Sequence, residues 1–428
     1  MSERLKKSQT FHVAMTAWIS RAIVLGLQFY FIRLTIARFG GATYTAMAMT
    51  LGLQSWVSLA DLGLASSLQQ RLATFRDDPA RCLTLISYVH KLLVRVSIVL
   101  GPLAGGLAYI LADHYLEAVD ISLMDKRLGF SIGICSLVVM AIGQTAQRLL
   151  LGLGRGVRAN VFLALGVAAS VAGGITGGSL WSERPFAGMA AGYGFGAGVF
   201  WWCVFFQYAR NGALTIAEDD RRELHRLARE TLLFLVFAAA VLSVDYVVLS
   251  KVCSQRDILI YSLSSKIFLP IFLIVSLFFA SFQPMATYML ANGQNDEVKG
   301  AIRRIIFVGF ISVFVVLLVV LMAERSVLHW LAPGENIEFE VGFIAILLLY
   351  YLTRIWTDGH TVVIMAAGKP RLILPAVVTQ AVIAAPLQYF FGNRWGLIGL
   401  ISGLCLCFLS TVAWYIPLQV AKLCKSRK

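Results

Sequence analysis

The sequence predicts an all-α, polytopic membrane protein: about twelve transmembrane helices in two parallel six-helix bundles around a central cationic lumen. Three observations carry this prediction. Of 428 residues, 58% are apolar and 14% are charged, against about a quarter charged in a soluble chain. The apolar residues run in blocks long enough to cross a hydrocarbon core, which takes about 20 helical residues. Lys+Arg outnumber Asp+Glu by 37 to 23, and the basic residues cluster between the blocks, as in membrane proteins. That patterning excludes a soluble enzyme and a nucleic-acid binder.

Twelve blocks meet the length requirement: roughly 11–36, 42–70, 84–112, 128–147, 159–179, 187–207, 231–252, 262–289, 303–323, 339–366, 371–392 and 396–420. An even number puts both termini on one side. Connections on that side, with the termini, hold 24 Lys and Arg, among them Arg4, Arg71, Arg76, Arg81, Lys91, Arg210, Arg427 and Lys428; the opposite loops hold seven. The positive-inside rule therefore places both termini in the cytoplasm. Trp181, Trp330 and Trp395 then fall at the outer ends of spans. The basic start, Met1 to Thr10, leads into an apolar block too long for a cleaved signal peptide and reads as the first membrane helix. Seven scattered cysteines without a CxxC pair, and six histidines without metal-ligand spacing, lead us to expect no disulfide, metal or cofactor.

The chain divides into an N-terminal bundle (1–210), a cytoplasmic connector (211–230) and a C-terminal bundle (231–428). In the connector, LTIAEDDRRELHRLARE is amphipathic. Leu214, Leu224 and Leu227 can rest on the membrane with Asp219, Asp220, Arg221, Arg222 and Arg226 in water; the alternative is a solvated linker. The halves resemble each other at offsets near 214 residues. Gly154-Arg155 matches Gly368-Lys369, Gly188 and Gly192 match Gly399 and Gly403, and WVSLADLGLASSL lies over LIVSLFFASFQPM. Six spans per repeat make the repeats parallel, an arrangement that places a substrate path between them. The GxxxG steps at Gly188, Gly192 and Gly196 read as close helix packing, with a hinge as the alternative.

Nine charges fall inside the blocks: Arg21, Arg33, Arg95, Lys251, Lys266, Arg354, Asp61, Asp245 and Asp358. Each costs about 2.5–3.5 kcal/mol at a lipid-exposed helix centre, so they are expected to face a wet interior or to pair. The excess of bases favours an anion, and the guanidinium fork suits phosphate. Arg33, Lys251 and Lys266 have the alternative of snorkelling to the headgroups. Arg354 and Asp358, at i and i+4, are placed to pair with each other. Asp61 and Asp245 are either counter-ions or proton and cation sites. Arg21, nearly central in its span, is the hardest to explain structurally.

The stretches WVSLADLGLASSLQQRLA (56–73) and VDYVVLSKVCSQRDILIYSLSSKIFLPIFLI (244–274), Pro284 within FASFQPMATYML, and the glycines opening spans 6 and 12 resemble the Wzx-type O-antigen and polysaccharide repeat-unit flippases of the MOP exporter superfamily. The resemblance implies transport of an undecaprenyl-pyrophosphate-linked oligosaccharide from the inner to the outer leaflet of the bacterial inner membrane, by alternating access with ion coupling. It makes Arg21, Arg33, Lys251 and Lys266 candidate substrate-binding residues. Asp61, Asp245, Arg354 and Asp358 become ion-coupling or counter-ion candidates. Arg155, Arg158, Lys369 and Arg371 stand at the cytoplasmic mouth. The implied partners are the lipid-linked oligosaccharide, membrane lipids and other polysaccharide-assembly proteins, with no nucleic acid.

Three rivals are a multidrug exporter of the same superfamily, which calls for a carboxylate-bearing path, a lipid II flippase, which usually has fourteen spans against the twelve predicted here, and a membrane-embedded glycan polymerase or ligase. The last needs sizeable outer loops, and none here exceeds about fifteen residues.

Overall fold

In lipid a backbone polar group has no water to bond, so an apolar chain must close its hydrogen bonds within helices. The computed structural model describes residues 3–75, 77–210 and 216–425; Arg76, Leu214, Arg427 and Lys428 lie outside them. In chain order the elements are α1 (Glu3–Gly52), α2 (Gln54–Val57), a 3-10 turn (Ser58–Asp61), α3 (Leu64–Thr74), α4 (Pro79–Tyr115), α5 (Leu123–Gly143), α6 (Thr145–Gly152) and α7 (Gly156–Leu180). There follow α8 (Pro185–Ala209), α9 (Glu218–Leu242), α10 (Asp245–Val252), α11 (Gln255–Ala291), α12 (Asn295–Leu331), α13 (Val341–Ala366), a second 3-10 turn (Pro370–Leu372), α14 (Leu374–Ser410) and α15 (Val412–Lys425).

The protein is an all-α polytopic membrane protein. Among the described residues nine helical segments are long and apolar enough to cross a membrane, and two of them reverse direction at a glycine. In α14 the break is Gly396, at φ 60°. Beyond it the chain returns along itself: the Cys407 thiol donates to the Gln380 carbonyl at 3.5 Å, and a Cβ on Gly403 would lie 2.7 Å from the Leu387 carbonyl oxygen. In a straight helix, residues 380 and 407 would stand about 40 Å apart. In α1 the break is Gly40, at φ 84°, a conformation that favours glycine. Phe39 packs at Gly178, near the end of α7, while Thr50 faces Gly133, well inside α5.

The chain forms two compact units, Met1–Val236 and Phe237–Lys428. In the first, Trp201, Phe186 and Phe205 are fully buried. Helices α7 and α8 meet backbone to backbone: a Cβ on Gly192 would stand 1.9 Å from the Gly173 carbonyl oxygen, and one on Gly188 would stand 2.2 Å from that of Gly177. Only glycine permits that approach, so the GxxxG steps are packing devices. Asp125 is buried and accepts the backbone N–H groups of Phe186 (3.3 Å) and Ala187 (2.8 Å). It thereby caps α8 from another helix.

The second unit uses the same devices. A Cβ on Gly399 would stand 2.0 Å from the Phe391 carbonyl oxygen, so the glycines opening the last span again press on the preceding helix. Gly154 and Gly368, at φ 71° and 70°, end their helices alike. Arg155 N–H returns to the Leu150 carbonyl at 2.8 Å, and Lys369 N–H to that of Ile364 at 3.2 Å, the six-residue closure of a left-handed C-cap. The third correspondence differs in conformation: the chain breaks at Ser58–Gly63, whereas α11 runs unbroken through its counterpart.

The amphipathic connector behaves otherwise than expected. Residues 211–215 lie outside the described residues, and from Glu218 the segment is the start of α9, continuous with the seventh apolar block. Its inner face is neither on lipid nor in water: Asp220, Leu224 and Ala228 are 3%, 0% and 4% exposed. The face packs within the first unit, where a Cβ on Gly63 would stand 2.4 Å from the Ala228 carbonyl oxygen.

Candidate functional site

Helix α1 places Arg21 half-buried, with one guanidinium nitrogen buried and without a hydrogen-bond partner among the described residues. The same holds for Gln28 Oε1 and Thr35 Oγ1. Residues 21, 28 and 35 recur at seven-residue spacing, which keeps them on one stripe of a helix. The neighbouring face is satisfied: Ser20 Oγ donates to the Asn160 carbonyl at 2.6 Å, and Asn160 Nδ2 to that of Val13 at 3.1 Å. A buried polar atom without a partner costs about 1–3 kcal/mol. Three on one stripe single out α1 as under-satisfied; each of these atoms is buried, and Thr35 is 0% exposed, so the stripe does not open to water in this structure. Reading for charge alone missed Gln28 and Thr35; their heptad spacing from Arg21 was the available signal.

Arg33 is also half-buried on α1 and has an interaction partner. It lies about 18 Å along the helix from Arg21 and about 120° round it. The two cannot grip one phosphate group together.

Asp61 closes the first 3-10 turn, where Oδ1 accepts the Gly63 N–H at 2.7 Å. Leu62 and Gly63 both have positive φ, 55° and 73°, and the carboxylate holds this turn shut. The Asp-Leu-Gly of the motif is thus a local break that lets α9 approach.

In the second unit a polar cluster gathers on α10, α11 and α13. Asp245, 9% exposed, begins α10; it accepts the hydroxyl of Tyr261 and the Tyr246 N–H. Arg354 donates to the Tyr350 hydroxyl at 2.8 Å and pairs with Asp358 at 3.6 Å. Lys251 is exposed and has a partner. Lys266, half-buried on α11, carries no ion pair among the described residues. Arg155, Arg158, Lys369 and Arg371 are all exposed, and Arg155 donates to the Tyr208 hydroxyl at 2.7 Å.

A third charged cluster was not anticipated. Asp220 accepts from Arg71 at 2.5 Å and from Arg81 at 2.7 Å, with both guanidinium groups over the Phe75 ring at 4.3 and 3.7 Å. Tyr88 and His225 hydrogen-bond at 2.9 Å beside it. Asp220 lies in the polar start of α9, outside the apolar block. Arg81 above all, then Arg71, holds its carboxyl below the usual carboxylate range against the opposing effect of burial. The cluster clamps the start of α9 to α3 and α4 within the first unit.

No family model matches the chain. The fold is shared with solved transporters. A multidrug-resistance MATE family transporter of the MOP superfamily, inward-facing, aligns with a TM-score of 0.73 at 12% identity over 96% of this chain and 99% of its own. The lipid II flippase MurJ, inward closed, aligns with a TM-score of 0.69 at 13% identity over 95% and 87%. This protein is therefore a polytopic membrane protein that shares the fold of these MOP-superfamily transporters. Among curated relatives, a Yersinia pseudotuberculosis protein named for O-antigen export is 26% identical over 426 residues, covering 95% of this chain and 94% of that one.

Proposed function

We propose that the chain flips an undecaprenyl-pyrophosphate-linked oligosaccharide, the repeat unit of O-antigen or a related surface polysaccharide, from the inner to the outer leaflet of the bacterial inner membrane. The observation that carries the reading is the α1 stripe. When alternating access opens this buried stripe, a pyrophosphate supplies anionic oxygens for Arg21, and a sugar supplies hydroxyls for Gln28 and Thr35. The relative named for O-antigen export and the fold shared with a lipid II flippase support it.

In this reading Arg21 and Arg33 are successive stations rather than one clamp, and Lys251 and Lys266 assist on the outward side. Arg155, Arg158, Lys369 and Arg371 draw the anionic headgroup to the cytoplasmic mouth, and both termini lie in the cytoplasm. Asp245 and the Arg354–Asp358 pair exchange protons or cations as the two bundles alternate access, while Asp61 serves as a structural carboxylate. Other polysaccharide-assembly proteins are its working partners.

The test is export of isotopically labelled lipid-linked repeat units in a strain lacking its own flippase. The wild-type chain is expected to restore export, and Arg21→Ala to reduce it by about tenfold or more, as loss of a hydrogen bond to a charged group does. Wild-type export by both Arg21→Ala and Arg33→Ala would remove the anion-site assignment. The fold shared with a multidrug transporter favours a second reading, extrusion of cationic amphiphiles. An unpaired guanidinium nitrogen repels such cargo, and the drug susceptibility of a deletion strain separates the two.

A further inference from the structure

On α4, Ser87, Lys91 and Arg95 follow at four-residue steps and share one face. That face meets the last turn of α8, where Ser87 Oγ donates to the Ala209 carbonyl at 2.6 Å and the His90 ring sits edge-on to Phe205 with centroids 4.9 Å apart. Between the helices lies an open groove of about 430 Å³, bordered by Lys91, Arg95 and Arg210, with Val94 and Phe206 as its apolar wall. The three cations are exposed, and none pairs with a carboxylate among the described residues. Lys91 and Arg95 lie in the first half of the third apolar block and Arg210 just beyond the end of the sixth, so the groove runs from the headgroup region into hydrocarbon.

What leads away from the groove is apolar on both helices. Beyond Arg95, α4 exposes Ile98 (67%), Val99 (56%) and Leu103 (64%); two turns before Phe206, α8 exposes Val199 (60%). A free phosphate satisfies the cations and leaves this track unexplained, and a neutral lipid does the reverse. We propose that the groove binds an anionic phospholipid of the surrounding bilayer. Lys91, Arg95 and Arg210 hold its phosphate, and its acyl chains lie along the exposed faces of α4 and α8. Basic pockets between membrane helices suit anionic headgroups, and the long Lys and Arg stems reach them from inside the helix ends. The site needs only the membrane setting and is independent of the transported cargo.

The experiment is native mass spectrometry of the full chain in neutral detergent, with phosphatidylglycerol or phosphatidylcholine added. Wild type is expected to retain phosphatidylglycerol in preference by about tenfold, and the Lys91→Gln/Arg95→Gln variant to lose that preference. Should the double variant fail to fold, Arg210→Gln is read in its place. Equal retention of the two lipids by wild type, or an unchanged preference in the variants, overturns the proposal. Two competition arms separate the sources of phosphate. Displacement of phosphatidylglycerol by inorganic phosphate alone, or retention of a polyprenyl pyrophosphate but not of phosphatidylglycerol, also overturns it. Persistence of phosphatidylglycerol against both competitors supports it.

Discussion

A single buried polar atom is informative in a membrane because lipid offers it nothing. Arg21, Gln28 and Thr35 share one stripe of α1, and each leaves a buried atom unpaired among the described residues, which a ligand or water completes only when the stripe opens. Gln28→Leu removes the demand while keeping the volume. It is expected to leave folding intact, or to stabilise by up to about 1 kcal/mol, while reducing export of the labelled repeat unit. A thermal unfolding curve together with the export assay checks the two halves of that statement. Unchanged export would place Gln28 outside the path. Asp220 makes the opposite case, a charge with both partners in place. Its carboxyl is held below the usual range, so the ion pairs contribute at and above the ordinary carboxylate pKa. That contribution is lost as pH falls through the depressed value. Asp220→Asn is expected to cost about 2 kcal/mol and to raise amide exchange over the start of α9 at pH 7. Acidification of the wild type is expected to do the same only below about pH 4.

At the scale of the element, glycine decides where helices touch and where they turn. Gly192 presses on the Gly173 carbonyl, and Gly399 on that of Phe391, so a side chain at either position must push two backbones apart. Gly192→Val is expected to destabilise the protein by about 3 kcal/mol, against a change within about 1 kcal/mol for Gly106→Ala, where nothing lies within 4 Å of the added Cβ. Melting temperatures of the two purified variants check the contrast. The connector is an element reassigned by contact. Its amphipathic pattern was legible, but the surface that covers the apolar face was not. Leu224 and Ala228 are buried within the first unit instead of lying on a membrane, and the break at Ser243–Val244 falls between the clamped helix and α10. Two glycine residues inserted at that break are expected to slow export while leaving the Asp220 clamp in place, read by amide exchange at the start of α9.

For the whole molecule, the pattern of basic residues makes a prediction of its own. Both termini and the clamp at Arg71, Arg81 and Asp220 belong in the cytoplasm, and Arg184, Arg256 and Arg394 on the opposite side. Single cysteines at 184 and 394 in a cysteine-free background are expected to label from outside intact cells with an impermeant thiol reagent. One at 158 is expected to label only after permeabilisation. The same scan reports whether each of the twelve apolar blocks crosses. Labelling of 158 from outside would invert the topology and, with it, the direction of transport.

Local patterning was enough to locate helices and their ends, because a span is set by the length of one apolar block and a break by one glycine or cap. Each of the twelve blocks falls mostly on helix, several of them across a break, as at Ser58–Gly63 and at Ser243–Val244. Two of the three internal correspondences reappear as shared geometry, since a left-handed C-cap and a close glycine contact depend on few residues. Tertiary structure decided which polar groups are satisfied, since their partners are distant in the chain: Arg71 and Asp220 are 149 residues apart, and Ser20 meets Asn160 across 140. A sequence states which side chains carry charge or a hydrogen bond to give. Only packing determines whether another segment takes it up, and at Arg21, Gln28 and Thr35 none among the described residues does.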